Sequence, residues 1–270
     1  MSNIALPKKI EFKSAELPNQ KLVVVEPLFP GYGTTLGNAL RRVLLSSIPG
    51  TAVVGVKIEG ADHEFMALPN IKEDVLEIIL NLKQLNLKIH TDEVVKLELE
   101  AHGEKEVKAK DIKANADVEI VNKDMTIAHI TDMAGKLNME IYASRGMGYE
   151  TIENRENRKK EIGYIEIDSI FSPVRAVGVN VANTRVGKMT NWDKLTLDIE
   201  TDGTISPEEV FDKSVAILLA QFNSLVDLRN HKEVVEEAAA EVEEQETEAP
   251  VKEVKTKDSK SKKTSETAEE

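Results

Sequence analysis

Two hydrophobic periods share this chain, and the order in which they alternate restricts the fold more than any other feature. From about residue 93 to residue 142, "VVKLELEA", "DVEIV" and "KLNMEIYA" alternate apolar with polar residues, as strands with one buried face do. The same period returns in "IGYIEIDSIF", "VRAVGVNVANTRVG" and "KLTLDIET". Nearer both ends the spacing is helical. "TTLGNALRRVLLSSIPG" (34–50) follows a strand-like "KLVVVEPLFPGYG", and "TAVVGVKIEGADHEF" leads to a second helix carrying Ile71, Val75, Ile78, Ile79, Leu82 and Leu85. A third helix, "SPEEVFDKSVAILLAQFNSLVDL", closes the patterned region. The pattern predicts an α+β protein: helices on an antiparallel sheet, interrupted by an inserted β-rich domain.

Local signals set expected boundaries. Thr34 or Thr35 can cap the first helix, Pro49 ends it, and Asn70 can cap the second. Ser206, Pro207 and Glu209 make a capping box for the third, after a turn at Thr201-Asp202-Gly203-Thr204. Beyond residue 233 the patterning stops: residues 234–270 hold twelve acids and six bases with no aromatic residue. Such a segment cannot bury enough apolar area to offset its ordering entropy, so 233–270 is expected to be a disordered tail, with "EVVEEAAAEVEEQE" able to extend the preceding helix.

Composition excludes several function classes. The chain has no cysteine, which removes disulfides, thiolate catalysis and cysteine zinc sites. No run of about 18 apolar residues suggests a membrane span, and the N-terminus has no signal-peptide pattern, so a cytoplasmic location is expected. A net charge of −13 argues against broad direct contact with duplex DNA.

Candidate chemistry is sparse. "GYGTTLG" lies between a strand and a helix, where a phosphate could sit. Its glycines are one residue too widely spaced for the dinucleotide fingerprint, and a turn plus a close helix approach at Gly37 explains them equally. The five histidines are scattered, with no helical zinc pair, and no D-x-D anchors magnesium. His63-Glu64, Ser172-Pro173 and the cluster Arg155, Arg158, Lys159, Lys160 each have a plainer reading, the last as a solvated loop balanced by Glu153, Glu156 and Glu161. No catalytic residue, metal ligand or cofactor is expected in this chain.

The first helix poses the sharper question. Leu36, Ala39, Leu40, Val43 and Leu44 form one apolar stripe, with Gly37, Asn38, Arg41, Arg42 and Leu45 toward another side. An unpaired buried guanidinium is very costly, so each arginine must reach water, an internal acid or a partner's acid. An internal salt bridge and an interface anchor fit equally well on these grounds. The stripe of the third helix is similarly open between monomer core and an antiparallel dimer seam.

At these residues the chain resembles the bacterial RNA polymerase alpha-subunit family. "VEPLFPGYGTTLGNALRRVLLSSIPGTAV", "DHEFMALPNIKEDVLEIILNLKQL", "DVEIVN", "IFSPV", "NTRVGKMTNWDKLTLDIETDGTISPEE" and "LVDLRN" carry the likeness across about residues 4–231. The resemblance implies a dimerisation domain of 1–50 and 172–232, interrupted by a β-rich domain of 51–171. It implies a homodimer that nucleates assembly of the beta and then the beta prime subunit, with catalysis belonging to beta prime. Carried over by motif, Arg42, Leu45, Glu77 and Lys83 are implied beta-subunit contacts and Val174 a beta-prime contact. Leu36, Leu40, Val43, Leu44, Leu218 and Phe222 are expected in the dimer interface or core. The family's small helical DNA-binding domain has no counterpart in 234–270, so promoter contacts through that domain are expected to be missing. Two other classes remain as alternatives: a small-molecule enzyme using the "GYGTTLG" turn, and a free-standing interaction module.

Overall fold

The computed structural model describes residues 4–247 except 16, 114 and 156–160, with side chains described as far as Arg229. The chain divides into two compact units, residues 1–220 and 221–270. In order, the elements are β1 (Lys9–Ser14), β2 (Gln20–Leu28), α1 (Tyr32–Ser46), β3 (Pro49–Ile58), α2 (Val75–Leu82), β4 (Leu87–Ile89), β5 (Val95–His102), β6 (Lys105–Lys108) and β7 (Val118–Ile120). They continue with β8 (Thr126–Ile130), β9 (Lys136–Met147), β10 (Tyr149–Glu150), β11 (Tyr164–Glu166), β12 (Ser169–Ile170), β13 (Val174–Val186), β14 (Met189–Thr201) and α3 (Pro207–Thr247).

All strand pairs among the described residues are antiparallel. One sheet runs β1-β2-β14-β13 and a second β11-β3-β9-β5, with three two-stranded ribbons, β10-β12, β4-β7 and β6-β8. The α+β architecture expected from the two periods is therefore present. The first unit holds two large apolar cores that share no residue. One draws on Val23, Val25, Leu28, Leu40, Leu44 and Ile48, then on Val174, Leu195, Leu197, Ile199, Val210 and Phe211. The other takes its residues from Val53 to Ile167. A chain that starts one core, leaves to build another and returns produces that division.

Strand β3 connects the two. Its start closes on Phe171: a methyl group on Gly50 would fall on the Phe171 carbonyl oxygen, and one on Gly146 of β9 would lie 2.7 Å from the Phe171 ring. Ala52, Val54 and Phe171 form a third small cluster there. Arg155 secures the same region. Its guanidinium donates to the carbonyls of Val54 (2.6 Å) and Ile167 (2.9 Å) and to Ser169 Oγ (2.7 Å). The solvated-loop reading fails for this residue, whose side chain is only 13% exposed; Arg158, Lys159, Lys160 and Glu156 lie outside the described residues.

Two helix starts differ from expectation. Asp74, not Asn70, caps α2, accepting the Glu77 amide at 2.7 Å, because Asn70 has φ 61° and sits in the preceding turn. α1 begins at Tyr32, so Thr34 and Thr35 fall inside its first turn and no side chain of its own caps it. The cap arrives from β14: Asp193 Oδ2 accepts the amides of Gly31 (2.9 Å) and Gly33 (3.0 Å). Negative charge at that end of a helix is favourable. Close packing fixes the rest of α1. A methyl on Gly33 would lie 2.8 Å from Val181, and one on Gly37 would lie 2.8 Å from both Leu195 and Val179. Gly37 thus belongs to the buried face, not the outward one.

α3 starts as expected, with the Glu209 amide donating to Ser206 Oγ at 3.3 Å. It runs to Thr247, so residues 233–247, expected within the tail, continue the helix as the alanine- and glutamate-rich stretch allows. Residues 248–270 lie outside the described residues. No described helix is long and apolar enough to cross a membrane.

Helix α2 is tied to β8 by a pair the sequence reading did not single out. Buried Glu73 accepts the His129 amide at 2.7 Å and meets His129 Nδ1 at 2.6 Å. Burial pushes this carboxyl up, but the two hydrogen bonds from His129, with one from its own backbone, outweigh it and hold the pKa below the ordinary 4.5.

Two stability predictions follow from these contacts. Asp193→Ala should lower unfolding free energy by about 2 kcal/mol, since two amides and a helix N-terminus lose their anion; a urea midpoint unchanged from wild type would contradict this account of α1. Because the folded pKa of Glu73 is depressed, its contribution is complete above pH 4.5 and is lost as pH falls through the lower folded value. Glu73→Gln should therefore cost about 1–3 kcal/mol at pH 7, and the gap to wild type should narrow on acidification below pH 4.5. Parallel unfolding curves across that range would refute it.

Candidate functional site

The glycine-rich entry to α1 has the geometry of a phosphate site, and its donors are already engaged. Asp193, 8% exposed, takes the Gly31 and Gly33 amides, which are the groups a phosphate would need. Gly33 and Gly37 serve the close approach of the helix to β13 and β14. The glycines of "GYGTTLG" are thus accounted for by a turn and by helix packing. Gly31, at φ 89°, makes the turn.

That packing decides which face of α1 meets solvent. Gly33, Gly37, Leu40 and Leu44 are buried, and Leu36, Ala39 and Val43 are half-buried. Leu36, Leu40 and Leu44 therefore serve the monomer core. Thr34, Thr35, Asn38, Arg41, Arg42, Leu45 and Ser46 form the exposed side. Neither Arg41 nor Arg42 has an acidic partner within 4.0 Å among the described residues. The two readings of the arginines are separated here: both guanidinium groups lie in water and no internal salt bridge holds them. Leu45, 37% exposed, lies one turn further along the same side.

This face is continuous with residues from two distant parts of the sequence. Ser172 Oγ donates to the Leu45 carbonyl at 3.4 Å, which brings the stretch before β13 against the end of α1. Lys83 and Gln84 at the end of α2, Thr51 and Ala52 of β3, Ile170, Ser172 and Arg175 line one open cleft of about 660 Å³. Lys83 therefore shares a surface with the 170–175 stretch. Glu77 is exposed on α2, near Leu76 and Leu80, which are 39% and 52% exposed. Val174 is different: it is 5% exposed and belongs to the core, so the contact assigned to it falls to a position whose side chain points inward, while Arg175 beside it is exposed. Sequence periodicity could not separate the two, because strand ends alternate between core and solvent without a marker.

The other candidates disperse. His63 and Glu64 lie on an exposed turn, with His63 Nδ1 accepting the Phe65 amide at 3.3 Å. Among the described residues no three histidine, aspartate or glutamate side chains converge as a metal site would need. On α3, Val210 and Phe211 are buried and Leu218 packs on the same core. Further along, in the second unit, Phe222, Leu225, Val226 and Leu228 are 59%, 63%, 57% and 63% exposed.

Comparison with known proteins places this geometry. Residues 56–172 match the family described as "RNA polymerase Rpb3/RpoA insert domain". The chain is 50% identical over 213 residues to the DNA-directed RNA polymerase subunit alpha of Carboxydothermus hydrogenoformans, covering 79% of this chain and 68% of that one. Against the subunit of the same name from Desulforamulus reducens, identity is 48% over 244 residues, covering 89% and 77%. For that of Alkaliphilus metalliredigens it is 47% over 236 residues, covering 87% and 75%.

Proposed function

The chain belongs to the family of DNA-directed RNA polymerase alpha subunits, and from that premise we propose that it is a non-catalytic, homodimeric platform on which the beta and beta prime subunits assemble. One observation carries the reading. A chain of net charge −13 exposes two adjacent arginines beside a leucine on one helix, and neither has an acidic partner among the described residues. Arg beside apolar side chains is the composition of an interface hot spot. Arg42 and Leu45 form the centre of the beta contact, with Lys83 and Glu77 extending it across α2. The polymerase's nucleotidyl transfer belongs to its partner subunits, the cytoplasm is the expected setting, and the acidic balance of the chain argues against broad contact to duplex DNA.

The same reading divides the chain up to residue 232 into a dimerisation domain, residues 1–50 and 172–232, and the inserted domain, 51–171, between them. The two separate cores support that division. The homodimer is supported by the apolar residues that α3 exposes at helical spacing: Leu219 in the first unit, and Phe222, Leu225, Val226 and Leu228 in the second. Isolated patches of this kind mark association surfaces.

Two substitutions separate the functions. Arg42→Ala should leave the dimer intact in light scattering and weaken capture of the purified beta subunit by about 2–4 kcal/mol, the scale of a desolvated charge anchor. Unfolding of the isolated chain by this change would count against the reading. Phe222→Glu combined with Leu225→Glu should halve the solution mass at micromolar concentration; a persistent dimer would move the seam elsewhere.

A further inference from the structure

We infer that the Asn86 side-chain amide and the Asp202 carbonyl form a latch that closes the second core onto the first across a hinge, and so sets how far the two can swing. The latch is independent of the assembly reading, because it joins two cores that exist within a single chain. The polypeptide passes between those cores twice, at the start of β3 and at residues 171–173, since the first core resumes at Val174. The crossings lie side by side: a methyl on Gly50 would fall on the Phe171 carbonyl oxygen and 3.0 Å from Pro173. Two adjacent crossings make an axis and leave rotation about it open.

Two clefts separate the cores next to this axis, and Thr51 lines both. One, of about 470 Å³, runs between Leu87–His90 and the start of α3 at Glu209 and Lys213. The other, of about 660 Å³, lies between the end of α2 at Lys83 and the stretch of Ser172 and Arg175. Contacts away from the axis therefore decide whether it moves, and two of them meet at one point. Asn86 Nδ2 donates to the Asp202 carbonyl at 2.8 Å. Beside it, a methyl on Gly203 would lie 3.4 Å from the Val121 side chain.

Both ends of the latch are held ready. The Asn86 amide donates to Asn122 Oδ1 at 2.9 Å, and its carbonyl accepts the Val121 amide at 3.0 Å. Asn122 Nδ2 in turn donates to the Gln84 carbonyl at 2.8 Å, which ties the latch to the end of α2. On the other side the Asp202 amide donates to the Pro173 carbonyl at 2.9 Å. The Asp202 carboxylate is occupied as well, accepting the Thr204 amide (2.9 Å) and hydroxyl (2.6 Å). One neutral hydrogen bond between positioned partners shifts an equilibrium by about 2- to 10-fold. Lys83 follows a helix of the second core and Arg175 lies on a strand of the first, so the latch fixes the spacing of the two across the larger cleft. A partner that touches both cores binds the closed form, and its apparent affinity scales with the closed fraction.

The chain has no cysteine, so Met133→Cys in the second core's loops (78% exposed) and Lys188→Cys in the exposed β13-β14 turn give two unique sites for spin labels. The doubly labelled full chain, mixed with excess unlabelled chain, reports the distance between cores within one chain by pulsed electron spin resonance. The latched chain should give one narrow distance distribution. Asn86→Ala should multiply the population at other distances about 2- to 10-fold, and Asn86→Asp, which sets a carboxylate against the carbonyl, should broaden it at least as far. Thermal melts check that each variant folds; Asn86→Asp, of the same size, serves if the alanine variant does not. Distributions that coincide in all three chains, narrow or broad, would overturn the latch. Titration of purified beta subunit adds the link to assembly, with capture by Asn86→Ala weaker by about 2- to 10-fold. Broadened distances with unchanged capture would leave the latch standing and remove a beta contact shared by both cores.

Discussion

The docking of α1 onto the β13-β14 hairpin is the constraint on which the surface of this protein depends. Gly33 and Gly37 leave no room for a side chain between helix and sheet, and the buried Asp193 carboxylate holds the first amides of the helix. A helix fixed at its start and along one side cannot rotate. Its remaining side is therefore fixed as well, and Arg41, Arg42 and Leu45 lie on it. Exposure of the arginines is a consequence of where two glycines had to go.

The second constraint is the excursion of the chain. The first core opens with β2 and α1 and is completed only by β13, β14 and the start of α3, after the polypeptide has built a separate core between Val53 and Ile167. The crossing points must be firm if the two are to present one surface. Arg155 provides this by joining the Val54 carbonyl to Ile167 and Ser169, and Phe171 by packing against Gly50 and Gly146. The cations at α1, at the end of α2 and at the start of β13 consequently meet on neighbouring patches although Arg42, Lys83 and Arg175 are far apart in the sequence.

Much of this was legible before any coordinates. The period-two runs became strands, the Ser206 hydroxyl caps the start of α3, and the glycines of "GYGTTLG" serve turn and packing. The errors share a cause. Asn70 precedes an apolar run as a cap would, yet the helix waits for Asp74, and residues 71–73 lie against β8 through the Glu73–His129 pair. Arg155 has charged sequence neighbours as a solvated residue would, but its partners are carbonyls 12 to 101 residues away. Val174 carries the motif of a contact, while its side chain belongs to the core.

The sequence by itself determined the elements and the amphipathic faces, because periodicity and capping act over a few residues and leave their pattern in the order of the chain. Only the tertiary structure decided which arginines are free, which acids are occupied and which apolar side chains stay uncovered. Those properties depend on desolvation and on partners that approach from elsewhere in the chain. The charge of Asp193 and that of Arg42 are equally plain in the sequence, yet one is spent inside on a helix terminus and the other faces outward, and that difference exists only once β14 has come to lie against α1.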